Sequence, residues 1–241
     1  MKKYKMSITL ESEALISSGE GFGAIIDTDV IFDENGLPYI PAKRIKGCLR
    51  DSALEVLRMF SLSNIGYFMS AELNNNKETN NYKIITEIFG TPGSDTEAKV
   101  YFSNFFISDY REAKEWFEYL CHGKKEYADI ISKDSIIETF TSIRRQTEIN
   151  ENGTAKEYSL RTSRVLRKSL LFSGLIEIGI EDPLVEELLG LACSNLRRIG
   201  TKRSRGLGEV TCKLFGPGTM PDNDTEIKTE TIIKKIEGRC K

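Results

Sequence analysis

Residues 172–193 read FSGLIEIGIEDPLVEELLGLAC, and the reading of this run decides the fold. Phe172, Gly174, Ile176, Ile178 and Ile180 alternate with polar or small residues, the period-two pattern of a half-buried strand. Asp182-Pro183 comes next. Aspartate is a favoured N-cap, and proline suits the first helical turn because its missing N–H has no helical partner there. Leu184, Leu188, Leu191 and Cys193 then begin the buried side of a helix, which Gly200 is expected to end. Leu207 to Leu214 reads as one more strand, so this part of the chain is a strand–helix–strand unit.

Working outward, the N-terminal part repeats the plan. Residues 4–11 alternate as a strand, and Val30-Ile31-Phe32 is a short extended piece before the turn Asp33-Glu34-Asn35-Gly36. From Ala42 to Phe60, Ile45, Leu49, Ala53, Val56 and Phe60 recur at helical spacing, and Lys99 to Ile107 is an aromatic-rich strand. The order strand, helix, strand, insertion, strand, helix, strand predicts an α+β, ferredoxin-like (βαββαβ, RRM-like) core. Between these elements lie a glycine loop at 17–23, an Asn-rich stretch at 61–83, and a short helix from Ile84 that Gly90 ends. Helical segments follow at about 110–122 and 125–139. The stretch 140–168 reads as a long hairpin arm turning at Glu151-Asn152-Gly153, and 216–224 as a loop before an amphipathic tail.

Composition narrows the class. With 39% hydrophobic and 29% charged residues the chain is a globular protein, and no run approaches the ~20 apolar residues of a membrane helix. Basic Met1 to Lys5 lead into alternating Met6, Ile8 and Leu10, a strand rather than a signal peptide. The five cysteines (Cys48, Cys121, Cys193, Cys212, Cys240) lack zinc-like spacing, which fits a reducing cytoplasm. A net charge of −2 argues against a simple polyanion binder, but the cations are segregated. They gather at Lys43, Arg44, Lys46 and Arg50, at Arg161, Arg164, Arg167 and Lys168, and at Arg197, Arg198, Lys202, Arg203 and Arg205. Those at the start of the 42–60 helix oppose its macrodipole, so helix stability does not explain them. Each cluster read alone is a solvated face; together they are able to line a basic groove.

Three segments resemble one known family. Gly36-Leu37-Pro38-Tyr39-Ile40-Pro41-Ala42-Lys43-Arg44-Ile45-Lys46-Gly47 resembles a segment of the backbone subunits of type III CRISPR effector complexes, members of the RAMP superfamily. Lys43 and Arg44 replace that segment's usual small polar pair. Ile199 through Val210 is similar to the family's C-terminal glycine-rich loop, keeping Arg205-Gly206-x-Gly208 but reducing its double glycine to Gly200 alone. Thr147 through Ile178 resembles the thumb that family members push between guide and target strands. The resemblance implies one RAMP domain over 1–241, with insertions at about 61–97 and 108–170.

The same resemblance implies the function. It makes Lys43, Arg44, Lys46, Arg50, Arg161, Arg164, Gly200, Lys202, Arg203, Arg205, Gly206 and Gly208 the RNA-binding residues. The glycines would let the backbone approach a phosphate while the cations supply counter-charge. Family members often cut target RNA with an aspartate after the first strand and a divalent metal. Asp27 falls at that position, with Asp29 and Asp33 as possible helpers, and magnesium is the expected ion. Ala24-Ile25 departs from the family's glycine pair. The sole histidine, His122, reads as a helix C-terminal residue rather than a general base. Expected partners are guide RNA, target RNA, other effector subunits and copies or relatives of this chain, without a membrane. Two alternatives stay open: a non-catalytic structural or guide-end-capping subunit, and an endoribonuclease that processes precursor guide RNA.

Overall fold

The structure, a computed structural model, describes residues 1–17, 26–63, 65–68, 83–91, 93, 98–120, 132–217 and 225–239. Most of the expected glycine loop, Ala24-Ile25, the Asn-rich positions 69–82, Cys121, His122, positions 125–131 of the helical segment at 125–139, positions 218–224 and Cys240 lie outside the described residues.

Strand β1 (Lys2–Leu10) buries Tyr4, Met6, Ile8 and Leu10 and turns Lys3 and Lys5 outward. It forms the centre of the main sheet, antiparallel to β7 (Leu171–Ile178) on one side and to β8 (Val210–Gly216) on the other. Beyond β7 lie β3 (Val100–Phe102) and β4 (Phe105–Ile107), with β2 (Tyr39–Ile40) outside β4. β9 (Thr225–Glu226) edges β8. Helices α1 (Ala42–Leu62) and α5 (Pro183–Asn195) pack on each other, pinned where Ser52 Oγ donates to the Ala192 carbonyl at 2.7 Å. Their buried sides share one apolar cluster with the alternate residues of β1, β7 and β8. Strands β1, β3/β4, β7 and β8 with helices α1 and α5 make the ferredoxin-like βαββαβ core. Around it lie α2 (Lys83–Phe89), α3 (Tyr110–Glu118), α4 (Lys133–Phe140) and α6 (Thr229–Arg239). No helix among the described residues is long and apolar enough to cross a membrane.

Local chemistry explains most boundaries. Asp182 caps α5, its carboxylate accepting the Leu184 N–H at 2.9 Å ahead of Pro183. Gly174 is the core residue where the Phe105 ring crosses β7: a Cβ there would meet Phe105 Cδ2 at 2.5 Å. Two expectations are corrected. The strand expected at 99–107 is interrupted, and its register against β7 shifts by one residue between Phe102 and Phe106, a bulge. At the bulge, Ser103 Oγ accepts the Leu175 N–H, and Asn104 Oδ1 accepts the Ala42 N–H, closing the start of α1. Helix α5 ends at Asn195 and not at Gly200, because Leu196 turns extended and Arg198 bridges to Glu209.

The arm expected at 140–168 is a hairpin of β5 (Thr141–Gln146) and β6 (Arg161–Leu166) in a sheet of its own. Its turn is closed by Asn150, which takes the Asn152 and Thr154 N–H groups on Oδ1. Ile149, Tyr158 and Leu160 stand exposed near its tip, Tyr158 fully so. Cys193 and Cys212 are buried side by side as free thiols, and their mutual hydrogen bond, then burial, raises the Cys193 pKa.

Candidate functional site

Strand β6 organises the site because it has neighbours on both sides. β5 pairs along one edge, and the chain at 26–30 runs parallel along the other through a bridge between Thr28 and Ser163. Asp27 is fixed there by a reciprocal contact: its N–H donates to the Thr162 carbonyl at 2.9 Å, and its Oδ2 accepts the Thr162 N–H at 2.6 Å. Further along, Ala14 and Leu166 exchange backbone hydrogen bonds. Glu13 then reaches across to β5, accepting from Ser142 Oγ and pairing with Arg144. Burial alone would raise the Glu13 carboxyl. Donation from Ser142 and Arg144 and the nearby Arg144 and Arg167 charges outweigh it and hold the group below its ordinary value. The Glu13 carbonyl also accepts the Gly208 N–H at 2.8 Å, so one residue ties the hairpin to the glycine-rich loop.

That loop brings its cations to the same spot. Thr201 is anchored by its N–H on the Leu15 carbonyl, and Lys202 follows in a left-handed conformation, φ 55°. Lys202 Nζ donates to Ser163 Oγ at 2.9 Å and Gln146 Oε1 at 3.3 Å, and Arg205 donates to the same Gln146 oxygen at 3.1 Å. Burial first, then Arg205 and Arg161, push the Lys202 ammonium below the ordinary lysine value, while Asp27 pulls the other way. Asp27, Arg161, Lys202 and Arg205, from three separate stretches of sequence, therefore share one field.

Gly200 and Gly208 sit where the chain packs on itself. A Cβ on Gly200 would lie 2.5 Å from the Leu15 carbonyl oxygen, and one on Gly208 1.9 Å from that of Ile199. Both have positive φ, and what approaches them closely is this chain's own backbone. Gly206 alone faces open space, and its N–H is donated to the Arg203 carbonyl.

The other expected cations divide. Lys43 and Arg44 line a cleft of about 260 Å³ together with Ile16, Gly47, Gly200 and Arg203, so the start of α1 and the glycine-rich loop face one another. Arg44 Nη2 also donates to the Ser17 carbonyl at 3.1 Å. Lys46 and Arg50 are half-buried and do not line the cleft, and Arg50 Nε is buried without an acceptor. Arg164 donates to Asp29 at 2.9 Å in a nearly buried pair. Asp33 accepts the Asn35 and Leu37 N–H groups and the Tyr110 hydroxyl, a turn-forming role.

Among the described residues no three His, Cys, Asp or Glu side chains group as a metal site. Asp27 offers one carboxylate there, and its charge reaches the Lys202 ammonium. Magnesium is commonly held by one or two carboxylates plus substrate phosphates, so this donor set fits the ion only alongside a phosphate and not in its absence. Glu13, Gln146, Thr162 and Ser163 carry no motif in the sequence. They belong to the site through backbone pairing between distant segments, which local pattern does not encode.

A family model, that of the RAMP superfamily, matches residues 7–211. Among solved structures the chain is similar to one in the cryo-EM structure of the type III-B Cmr-beta bound to cognate target RNA. The TM-score is 0.61 at 14% identity, over 89% of this chain and 97% of that one. It is similar also to a chain of the type III-B Cmr-beta in the apo state, with TM-score 0.57 at 12% identity over 88% and 97%. At such identities the likeness is one of fold. No curated protein matches the chain.

Proposed function

The chain belongs to the RAMP superfamily, and from that premise we propose that it is a backbone subunit of a type III CRISPR effector complex in the cytoplasm. In this role it binds guide RNA, contacts copies or relatives of itself, and cleaves target RNA paired to the guide. The observation that carries the reading is the convergence of Asp27 with Arg161, Lys202 and Arg205 at the base of the hairpin.

Each part then has a task. Lys43, Arg44 and Arg203 face the cleft between α1 and the glycine-rich loop, where a phosphate backbone would be drawn in without base preference. The exposed Ile149, Tyr158 and Leu160 give the arm an apolar tip suited to wedging against bases. At its root, a target 2′-hydroxyl would lie in line with the scissile phosphate, with Asp27 beside them. Magnesium bound by Asp27 beside that phosphate would neutralise charge developing on its oxygens. Few protein groups are needed, because the target strand carries its own nucleophile.

The reciprocal contact between Asp27 and Thr162 also supports a second reading, in which Asp27 only pairs backbone segments and the subunit is a scaffold. Cleavage of a guide-complementary RNA by the reconstituted complex, with and without magnesium, separates the two. Regular cuts by wild type that Asp27→Ala abolishes while keeping both RNAs bound support the nuclease. Retention of both RNAs without cutting by either protein supports the scaffold.

A further inference from the structure

Building on the cleavage reading, we propose that Lys202 is a catalytic residue: the general acid that protonates the leaving 5′-oxygen of the target RNA, opposite Asp27. Three features set this lysine apart from the other cations of the site. Its backbone is held at φ 55°, a left-handed conformation unfavourable for a residue with a side chain. Such conformations persist where the surroundings impose them, and they gather at functional sites. Here Thr201, bound to Leu15, and the short turn Arg203–Arg205 impose it.

The second feature is a fixed head group. Ser163 and Gln146, one from each strand of the arm, take two of the three ammonium donors and leave one free. A lysine serving only as a phosphate counter-ion needs no such cradle.

Third, the charged groups around it are Arg205, Arg161 and Asp27, and the half-buried ammonium gives up its proton more readily than a free lysine. That is the direction a proton donor needs, and the Ser163–Gln146 cradle holds the ammonium in one place to deliver the proton. A guanidinium is in general a far poorer proton donor than an ammonium, which singles out the lysine.

The step balances as follows. The 2′-hydroxyl gives its proton to a water molecule as the 2′-oxygen attacks phosphorus. The bond from phosphorus to the 5′-oxygen breaks, and the Lys202 ammonium delivers its proton to that oxygen. The products are a 2′,3′-cyclic phosphate and a 5′-hydroxyl. The hydronium so formed, through bulk water, restores the proton of Lys202.

The test uses the reconstituted complex and two guide-complementary targets, one natural and one with sulfur in place of the leaving 5′-oxygen. A thiolate leaves without needing a proton. Lys202→Arg and Lys202→Ala should retain guide and target RNA yet cut the natural target at least ~100-fold more slowly than wild type. Both should cut the sulfur target to within about tenfold of wild type. Wild-type cleavage of the natural target should fall at alkaline pH as Lys202 loses its proton, and the sulfur target should lack that fall. Natural cleavage by Lys202→Arg at the wild-type rate overturns the proposal, as does an equal loss on both targets. Loss of target RNA from the variant complexes makes Lys202 a binding residue and overturns it too. If wild type cuts neither target, the nuclease reading itself falls, an outcome distinct from the others.

Discussion

Arg164 Nη1 lies 2.9 Å from Asp29 Oδ2, and the two side chains are only 16% and 10% exposed. Asp29 Oδ1 also accepts the Val30 N–H at 2.7 Å, and the guanidinium lies over the Phe32 ring. A pair so enclosed joins the chain at 26–30 to the arm, two residues from Asp27. Removing one partner leaves the other buried without compensation. Asp29→Ala should therefore destabilise the protein by about 3–5 kcal/mol. Asp27→Ala, which deletes one acceptor at an exposed position, should cost about 1 kcal/mol. Urea unfolding of the two variants checks this, and equal losses would count against it.

Gly208 and Gly206 share a positive φ but not a setting. Gly208→Ala drives a Cβ to 1.9 Å from the Ile199 carbonyl oxygen, so the loop must move and the strap from Glu13 must break. Gly206→Ala meets open space and should cost about 1–2 kcal/mol from the backbone alone. Melting temperatures should rank wild type, Gly206→Ala, Gly208→Ala, and guide retention should fail first in the last.

Acid should loosen the arm. The Glu13 carboxyl sits below its ordinary value when folded, so its contribution is complete above the unfolded pKa and is lost as pH falls through the folded one. Amide exchange in β5 should quicken relative to β1 as pH is lowered through the acidic range. Glu13→Gln should show the faster exchange at neutral pH and little further change. A pH response as large in the variant as in wild type would refute this.

Lys43 and Arg203 line the cleft from opposite elements and form no ion pair among the described residues. Replacing either by alanine should weaken guide-RNA binding about equally across sequences and lower the salt slope by about one. Arg164→Lys, at a residue already paired with Asp29, should leave that slope unchanged.

The core was legible where a local pattern coincides with a tertiary need. β7 and α5 show this: alternation marks the buried face, and Asp182-Pro183 starts the helix. The bulge at Ser103 was not legible, because it is set by register against β7, whose residues come some seventy positions later. The end of α5 was misread for a similar reason, since Arg198 answers to Glu209 rather than to Gly200. Asp27 and Lys202 could be named from resemblance. Their holders Thr162, Ser163 and Gln146 are ordinary polar residues until β6 lies between two neighbours. Charge clustering groups Arg164 with the other cations and says nothing about its burial beside Asp29.

Strand β1 has a consequence for how the protein is made. It leaves the ribosome long before its neighbours, β7 and β8, which lie at 171–178 and 210–216. Until residue 216 has emerged, an apolar strand with two open edges must wait, a slow and aggregation-prone arrangement. The site closes equally late, since it needs residues 13, 27, 146, 163 and 202 together. A chain halted before residue 202 thus cannot gather these side chains, however well its earlier segments have folded.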